Sequence, residues 1–88
     1  MTKLLHIGFS NVISVEKIVA IIAPDTAIAK RIRDEARQTN QLIDCTNGRK
    51  LRSMILTDSP FVFSSAMRPE ALLQRFEGKS VDAEEPAN

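Results

Sequence analysis

Three cations follow an Asn-Gly pair in the segment LIDCTNGRKLRSMIL, which runs from Leu42 to Leu56. Arg49, Lys50 and Arg52 lie within a span of four residues. An arginine guanidinium can grip a phosphate with two parallel hydrogen bonds, and a lysine adds a point charge. Two of the cations are arginines, and a turn beside them would project all three together, so the pattern favours binding to a nucleic-acid backbone. The alternative interpretation is a solvated sheet edge whose charges prevent strand-to-strand aggregation.

The element predicted to carry these cations is a β-hairpin. Both central residues of a type I′ turn need φ > 0, which Asn47 tolerates and Gly48 adopts freely. We therefore predict a strand from Leu42 to Thr46, a tight turn at Asn47-Gly48 and a returning strand from about Arg49 to Thr57. The three cations would then lie near the hairpin tip, within reach of solvent.

The whole chain predicts a small single α+β domain with the element order ββ-α-βββ-α. About five strands would form a β-sheet with a central amphipathic helix and a C-terminal helix. Leu4–Ile7 predicts a strand that leads through a turn into another, and Phe61–Ala66 predicts a late strand after a turn at Asp58–Pro60. Ile18–Ala23 is continuously apolar, which is typical of a strand covered on both faces.

The segment from Pro24 to Asn40 predicts the central helix. Asp25 or Thr26 can cap its N-terminus by accepting a hydrogen bond from a free backbone N–H. Apolar residues at helical spacing predict the face that packs on the sheet; they are Ile28, Ala29, Ile32 and Ala36. The other face is charged, and ion pairs at i,i+4 spacing favour a solvated surface over a second phosphate site. The expected pairs are Lys30–Asp34 and Arg31–Glu35, which leave Arg33 and Arg37 without an evident partner.

The C-terminal helix is predicted to begin at Pro69 and to end at Gly78. Its apolar side would consist of Leu72, Leu73 and Phe76. The last twelve residues carry four acidic side chains against one lysine, a net charge of −3, which leaves +4 on the first 76 residues. We predict a mildly basic domain over residues 1–77 and a disordered acidic tail over residues 78–88.

No motif in the sequence points to catalysis, a metal or a cofactor. His6 and Cys45 are the only residues of their types, whereas a zinc site commonly needs three or four protein ligands. Asp44 and Asp58 match no metal-binding loop, and glycine-rich phosphate loops are missing. We therefore expect no enzyme and no cofactor. The single cysteine and the lack of an apolar run near the ~20 residues of a membrane helix favour a cytoplasmic protein.

Four segments resemble a known family in order and spacing: LLHIGFSNVIS, APDTAIAKRIRDEAR, LIDCTNGRKLRSMILTDS and SSAMRPEALLQR. They are similar to the extracellular-matrix-regulator, or RemA-like, family of small bacterial regulators, over about Leu4 to Arg75. The resemblance implies a DNA-binding transcriptional regulator without catalytic activity, in a family known for activating biofilm-matrix genes. It also implies compact α+β protomers that associate into a ring whose basic rim contacts DNA.

The resemblance assigns DNA contacts to Arg49 and Lys50, with Arg52 just beyond them, and to Lys17 before the apolar strand. Lys50 and Lys17 stand where the family has arginines, so charge is kept while bidentate phosphate geometry is lost. Asn47 replaces the family's usual tyrosine and Ser10 its second loop glycine. Cys45 departs from the usual Ala-Thr start of the turn.

A single protomer would offer about four phosphate contacts, which give weak binding at physiological salt. A ring would repeat those contacts along one duplex, and DNA bendability would then supply much of the specificity. No aromatic residue neighbours the cations in the sequence, which argues against a binder of single strands or RNA. Two alternatives remain: a protein-interaction scaffold whose cations serve only solubility, and a sensor of a small ligand held between protomers.

Overall fold

The computed structural model describes residues 3–76, which form an α+β domain as predicted. The strands are β1 (Leu4–Gly8), β2 (Asn11–Ser14), β3 (Ile18–Ile22), β4 (Leu42–Asp44), β5 (Ser53–Thr57) and β6 (Val62–Ser65). The helices are α1 (Ala27–Gln38) and α2 (Pro69–Phe76), and a short 3-10 helix covers Val15–Lys17. The strands divide into a two-stranded sheet, β1-β2, and a four-stranded sheet in the order β3-β5-β6-β4, where about five strands in a single sheet were expected.

A tight turn at Phe9-Ser10 joins β1 to β2, so the predicted strand, turn and second strand are confirmed. Phe9 has φ 53° and Ser10 has φ 66°, the left-handed pair of a type I′ turn. Asn11 at the start of β2 donates its side-chain N–H to the carbonyls of Gly8 (3.0 Å) and Phe9 (3.3 Å). These bonds hold the chain in a conformation that phenylalanine and serine adopt only at a cost.

The hairpin predicted between Leu42 and Thr57 is wrong. β6 lies between the two strands, parallel to β4 and antiparallel to β5. The turn at Asn47-Gly48 does form, with φ of 53° and 80°, and Arg49 N–H donates to the Thr46 carbonyl at 3.0 Å. Because β4 ends at Asp44 and β5 begins only at Ser53, this turn sits inside a longer loop that crosses over the end of β6. We call residues 45–52 the cationic loop.

The apolar segment Ile18–Ala23 forms β3 as expected, but β3 is an edge strand of the four-stranded sheet. Ile18 and Ile21 pack against the core, whereas Val19 points outward and is 69 % exposed. Ile22 packs against a second, smaller core cluster on the other face of the sheet, so the expected cover on both faces is present only in part. The exposed part of β3 leaves an apolar surface beside an open strand edge.

The core has two layers, one on each face of the four-stranded sheet. Ile55 on β5 faces Leu5 and Ile7 of β1 and Leu72 of α2. Met54, its neighbour, faces the other way, into a smaller cluster with α1. Ile55 and Met54 are both fully buried, so β5 contributes a side chain to the core on each face of the sheet.

Helix α1 is capped by Thr26, one of the two predicted residues, whose hydroxyl accepts from Ala29 N–H at 3.1 Å. Ala29 and Ala36 are buried and Ile32 packs beside them, whereas Ile28 is 57 % exposed. The packed stripe thus runs along i, i+3 and i+7 and leaves Ile28 at its margin. The ion pair on the described helix is Arg37–Asp34 at 3.6 Å, at i,i+3 spacing, in place of the two expected i,i+4 pairs.

Helix α2 begins at Pro69 as predicted, but its apolar side is only partly covered. Leu72 is fully buried, while Leu73 is 51 % exposed and Phe76 is 36 % exposed. The predicted stop at Gly78 and the predicted acidic tail over residues 78–88 lie outside the described residues.

Ser65, at the end of β6, links the two sheets through a buried hydroxyl. That hydroxyl donates to the Ile7 carbonyl of β1 at 2.7 Å and accepts from Met67 N–H at 3.0 Å. Its neighbour Ser64 is also buried, and it contributes to the fold through its backbone carbonyl, which accepts from Cys45 N–H at 2.9 Å. The two serines therefore form a matched pair for a substitution experiment.

We predict that Ser65→Ala lowers the free energy of unfolding by about 1–3 kcal/mol, because Ile7 C=O and Met67 N–H would be buried without a partner. Ser64→Ala removes a hydroxyl from the same strand and is expected to change the stability by much less. Urea unfolding followed by circular dichroism measures both. Equal losses of stability in the two variants would contradict the assigned link.

Candidate nucleic-acid interface

Both ends of the cationic loop are hydrogen-bonded to adjacent residues of β6. Cys45 N–H, at the loop's start, donates to the Ser64 carbonyl at 2.9 Å. Arg52 N–H, at its end, donates to the Ser65 carbonyl at 2.9 Å. Eight residues thus leave and rejoin the sheet at one point, which fixes the position of the cations between them.

The loop's first turn is held by the carboxylate of Asp44. Asp44 Oδ1 accepts from Thr46 N–H at 2.9 Å and from the Thr46 hydroxyl at 2.6 Å. Thr46 C=O in turn accepts from Arg49 N–H, which places the first cation directly after the turn. The hydrogen bonds from Thr46, the hydroxyl first and the backbone N–H second, lower the pKa of Asp44, and slight burial opposes them weakly.

The three loop cations are open to an anionic partner. Arg49 and Lys50 are exposed and Arg52 is half-buried. Within residues 3–76 none of the three forms an ion pair with an acidic side chain, since the ion pairs of this part of the chain are Lys17–Asp58 and Arg37–Asp34. Their positive charge is therefore not neutralised inside the described protomer.

The Arg49 guanidinium carbon lies over the ring of Phe9, 5.8 Å from its centre. Phe9 belongs to the β1–β2 turn, so the structure joins two loops that are 40 residues apart in the sequence. The sequence places no aromatic residue beside the cations, but the fold brings Phe9 to Arg49. No local pattern could have predicted this contact, because it depends on how the two sheets pack.

Lys17, the fourth predicted contact, lies at the other end of β5. Its carbonyl accepts from Asp58 N–H at 3.0 Å, and its ammonium is 3.7 Å from the Asp58 carboxylate. The whole of β5, roughly 15 Å of extended chain, separates this point from Arg52. Within one protomer the structure brings Arg49, Lys50 and Arg52 together and leaves Lys17 apart.

Over residues 4–76 the sequence matches the family described as Extracellular matrix regulatory protein A-like. The chain belongs to this RemA-like family. A relative from Pseudothermotoga lettingae, with the name "Putative regulatory protein", is 44 % identical over 88 residues, which covers 100 % of this chain and 97 % of the relative. A relative from Shouchella clausii is 46 % identical, covering 94 % and 95 %, and one from Trichormus variabilis is 49 % identical, covering 84 % of each.

The family and the names of its relatives indicate a bacterial regulatory role. The resemblance stated from the sequence is confirmed by this match. Along residues 3–76 of the RemA-like chain, no helix is long and apolar enough to cross a membrane.

Helix α1 offers the RemA-like protein a second charged surface, but its cations are differently placed. Arg37 pairs with Asp34 of the same helix. Arg33 is half-buried, and its Nε is covered without a hydrogen-bond partner among the described residues. Lys30 and Arg31 are exposed on a helix that also carries acidic side chains. This mixture of charges attracts a polyanion less than the cationic loop does.

The single cysteine and the single histidine differ in burial. Cys45 is buried, and burial, with a smaller contribution from the charge of Asp44, raises the pKa of its thiol. A thiol kept protonated in this way is a poor nucleophile. His6 is exposed on β1 opposite Val12. The described residues contain no group of three His, Cys, Asp or Glu side chains that could hold a metal ion.

The lowered pKa of Asp44 predicts how the stability of the cationic loop depends on pH. A carboxylate with a lowered pKa stabilises the fold fully above its unfolded pKa, near 4, and loses that contribution as the pH falls through its folded pKa. Wild type should therefore be more stable than Asp44→Asn at pH 7, and the difference should shrink as the pH falls below about 4 and through the folded pKa of Asp44.

Thermal unfolding of both proteins across that pH range measures the difference. Asn keeps a side-chain oxygen for the two Thr46 bonds, so it changes the charge while preserving the turn. A difference that stayed constant across the whole range would show that the ionised carboxylate contributes nothing.

Proposed function

We propose that this RemA-like protein is a DNA-binding transcriptional regulator that holds the phosphate backbone with its cationic loop and acts as a ring-like homo-oligomer. The observation that carries the proposal is the set of three cations without acidic partners among the described residues, on a loop whose two ends are pinned to β6. A loop held at both ends loses little backbone freedom on binding, which favours contact with a regular array of phosphates.

Double-stranded DNA is the favoured nucleic acid because the interface has charge but little open aromatic surface. Phe9, the aromatic side chain in contact with the loop, is half-buried and lies against the core and Arg49. A binder of single strands usually presents open aromatic faces on which bases stack. Backbone contacts instead suit a duplex, with its sequence read largely through shape and bendability.

Self-association is supported by an apolar groove between β3 and α2. The groove has a volume of about 400 Å³ and is lined by Ile18–Ile21, Pro69, Glu70, Leu73 and Phe76. Val19 and Leu73 are more than half exposed there, and β3 presents an open strand edge beside them. An apolar groove next to an open edge is a surface that a second copy of the chain would cover.

A small basic surface also needs repetition to bind firmly. Each phosphate contact contributes a salt-dependent term, and a few contacts per protomer give weak binding at physiological salt. Copies held in a ring engage one bent duplex together, so the second and later contacts form at a high effective concentration. The apolar groove and the cationic loop thus support the same proposal, a closed assembly with DNA on its basic side.

We predict that Arg49→Ala/Arg52→Ala weakens binding to a fluorescent AT-rich duplex and lowers the salt dependence of the affinity. The slope of log K against log salt should fall by about 0.9 for each phosphate that the variant no longer neutralises. Fluorescence anisotropy from about 50 to 300 mM salt measures affinity and slope together. Tight wild-type binding that does not depend on salt would contradict phosphate contact.

The matched control is Lys30→Ala/Arg31→Ala, which removes two exposed cations from α1. It has the same change in net charge and should keep the wild-type slope. If both double variants weaken binding equally, overall charge and not the cationic loop attracts DNA. If wild type ignores DNA at low salt, the scaffold alternative is favoured and the search turns to protein partners.

We also predict that Val19→Asp or Leu73→Asp dissociates the assembly into single chains, because each places a charge in the apolar groove. Light scattering coupled to gel filtration measures the molar mass. Both side chains are largely exposed in the protomer, so the fold should survive. Ile28→Asp, a similarly exposed apolar site on α1, should leave the mass unchanged; dissociation by Ile28→Asp alone would move the subunit contact to α1.

A further inference from the structure

We propose that Phe9 is a positioning residue for DNA binding: its ring, held in a strained turn, fixes the Arg49 guanidinium in the orientation that grips a phosphate. This inference rests on the proposed function of the cationic loop. It adds a second loop, at the β1–β2 turn, to the machinery of the interface.

The Phe9 ring contacts both the core and Arg49. Phe9 is half-buried and packs against the larger core cluster, which contains Leu5 and Ile7 of the preceding strand. Arg49 lies over the ring at 5.8 Å, within the roughly 6 Å over which a cation is attracted to an aromatic face. The guanidinium therefore lies over a side chain that packs against the core and belongs to a different loop.

The backbone conformation of the turn is unusual for the residues that occupy it. Phe9 and Ser10 both have positive φ, 53° and 66°, a region that glycine and asparagine occupy far more readily. The two side-chain hydrogen bonds of Asn11 stabilise this arrangement. Strain of this kind persists where surrounding structure enforces it, and it concentrates at functional positions. Here its effect is to hold the Phe9 ring beneath Arg49.

A guanidinium held over a ring is prepared for phosphate binding. Arginine carries N–H groups on several sides of its planar fork, so those that point away from the ring stay available for two parallel hydrogen bonds. An arginine without this support would lose more rotamer freedom on binding DNA, whereas one held by the ring has already lost part of it. Lysine lacks the planar fork, which distinguishes Arg49 from its neighbour Lys50.

Phe9 could alternatively stack directly on an unpaired base. Its half-burial and the guanidinium over its face leave less room for a base than an open platform would. The two roles differ in their dependence on Arg49. A positioning residue acts only through the arginine, whereas a stacking platform would act without it.

The test uses the full chain and compares Phe9→Leu, Phe9→Tyr and Arg49→Lys with wild type. The probe is the same AT-rich sequence as a duplex and as a single strand, measured by anisotropy across a salt series. Phe9→Leu should weaken duplex binding about three- to tenfold because the aromatic face is removed. Phe9→Tyr should keep near wild-type affinity, and Arg49→Lys should weaken binding about as much as Phe9→Leu despite its unchanged charge.

A double-mutant cycle separates positioning from a general structural effect. In an Arg49→Ala background, Phe9→Leu should cause no further decrease in affinity. Arg49→Lys changes an exposed side chain, so it tests the stack even if Phe9→Leu folds poorly.

Three results would overturn the proposal. Wild-type affinity in both Phe9→Leu and Arg49→Lys would show that the stack has no part in binding. A decrease in Phe9→Leu that persists in the Arg49→Ala background, and that is larger for the single strand, would make Phe9 a base-stacking residue. Absence of wild-type duplex binding at low salt would remove the proposed function itself, and it is recognised without any Phe9 variant.

Discussion

The position of β6 between β4 and β5 is the constraint on which the candidate interface depends. Because the two strands that flank the cationic loop do not pair with each other, the chain between them must cross the end of β6. Ser64 and Ser65 accept its first and last backbone N–H groups through adjacent carbonyls. The Ser65 hydroxyl also reaches the Ile7 carbonyl, so the same short stretch ties the smaller sheet to the larger one. The same two residues of β6 therefore determine both the path of the cationic loop and the packing of the two sheets.

That arrangement explains how positive charge can be concentrated without destabilising the fold. The acidic residues that form ion pairs in the described part of the chain lie elsewhere, with Asp34 on α1 and Asp58 beyond β5. Arg49 and Lys50 remain hydrated, so their mutual repulsion is screened by water and salt. Asp44 is the acidic residue directly before the loop, and its carboxylate accepts hydrogen bonds from the N–H and the hydroxyl of Thr46. The loop thus uses a negative charge to shape its turn while leaving its cations available to an anionic partner.

Features set by neighbouring residues could be predicted from the sequence, and features set by packing could not. The cap at Thr26, the positive φ at Asn47-Gly48 and the helix start at Pro69 each follow from one side chain or one ring. The paired hairpin was wrong because a tight turn specifies only the four residues that it joins. The Phe9–Arg49 contact depends on the packing of two sheets. The continuous apolar run at Ile18–Ala23 correctly predicted a strand that packs on the core, but one protomer covers only part of that strand.

The remaining separation between Lys17 and the cationic loop bears on how copies would be arranged. Their mutual pairing leaves Lys17 and Asp58 more than half exposed, and a pair of that kind contributes little to stability. Lys17 can thus leave the Asp58 carboxylate and bind a phosphate at a small cost in free energy. Since β5 keeps it roughly 15 Å from Arg52 in one protomer, a duplex could reach both only along a path set by the assembly. In the proposed ring, the contact of Arg49 with DNA would therefore depend on the cationic loop of one protomer. The contact of Lys17 would depend on the spacing between neighbouring copies.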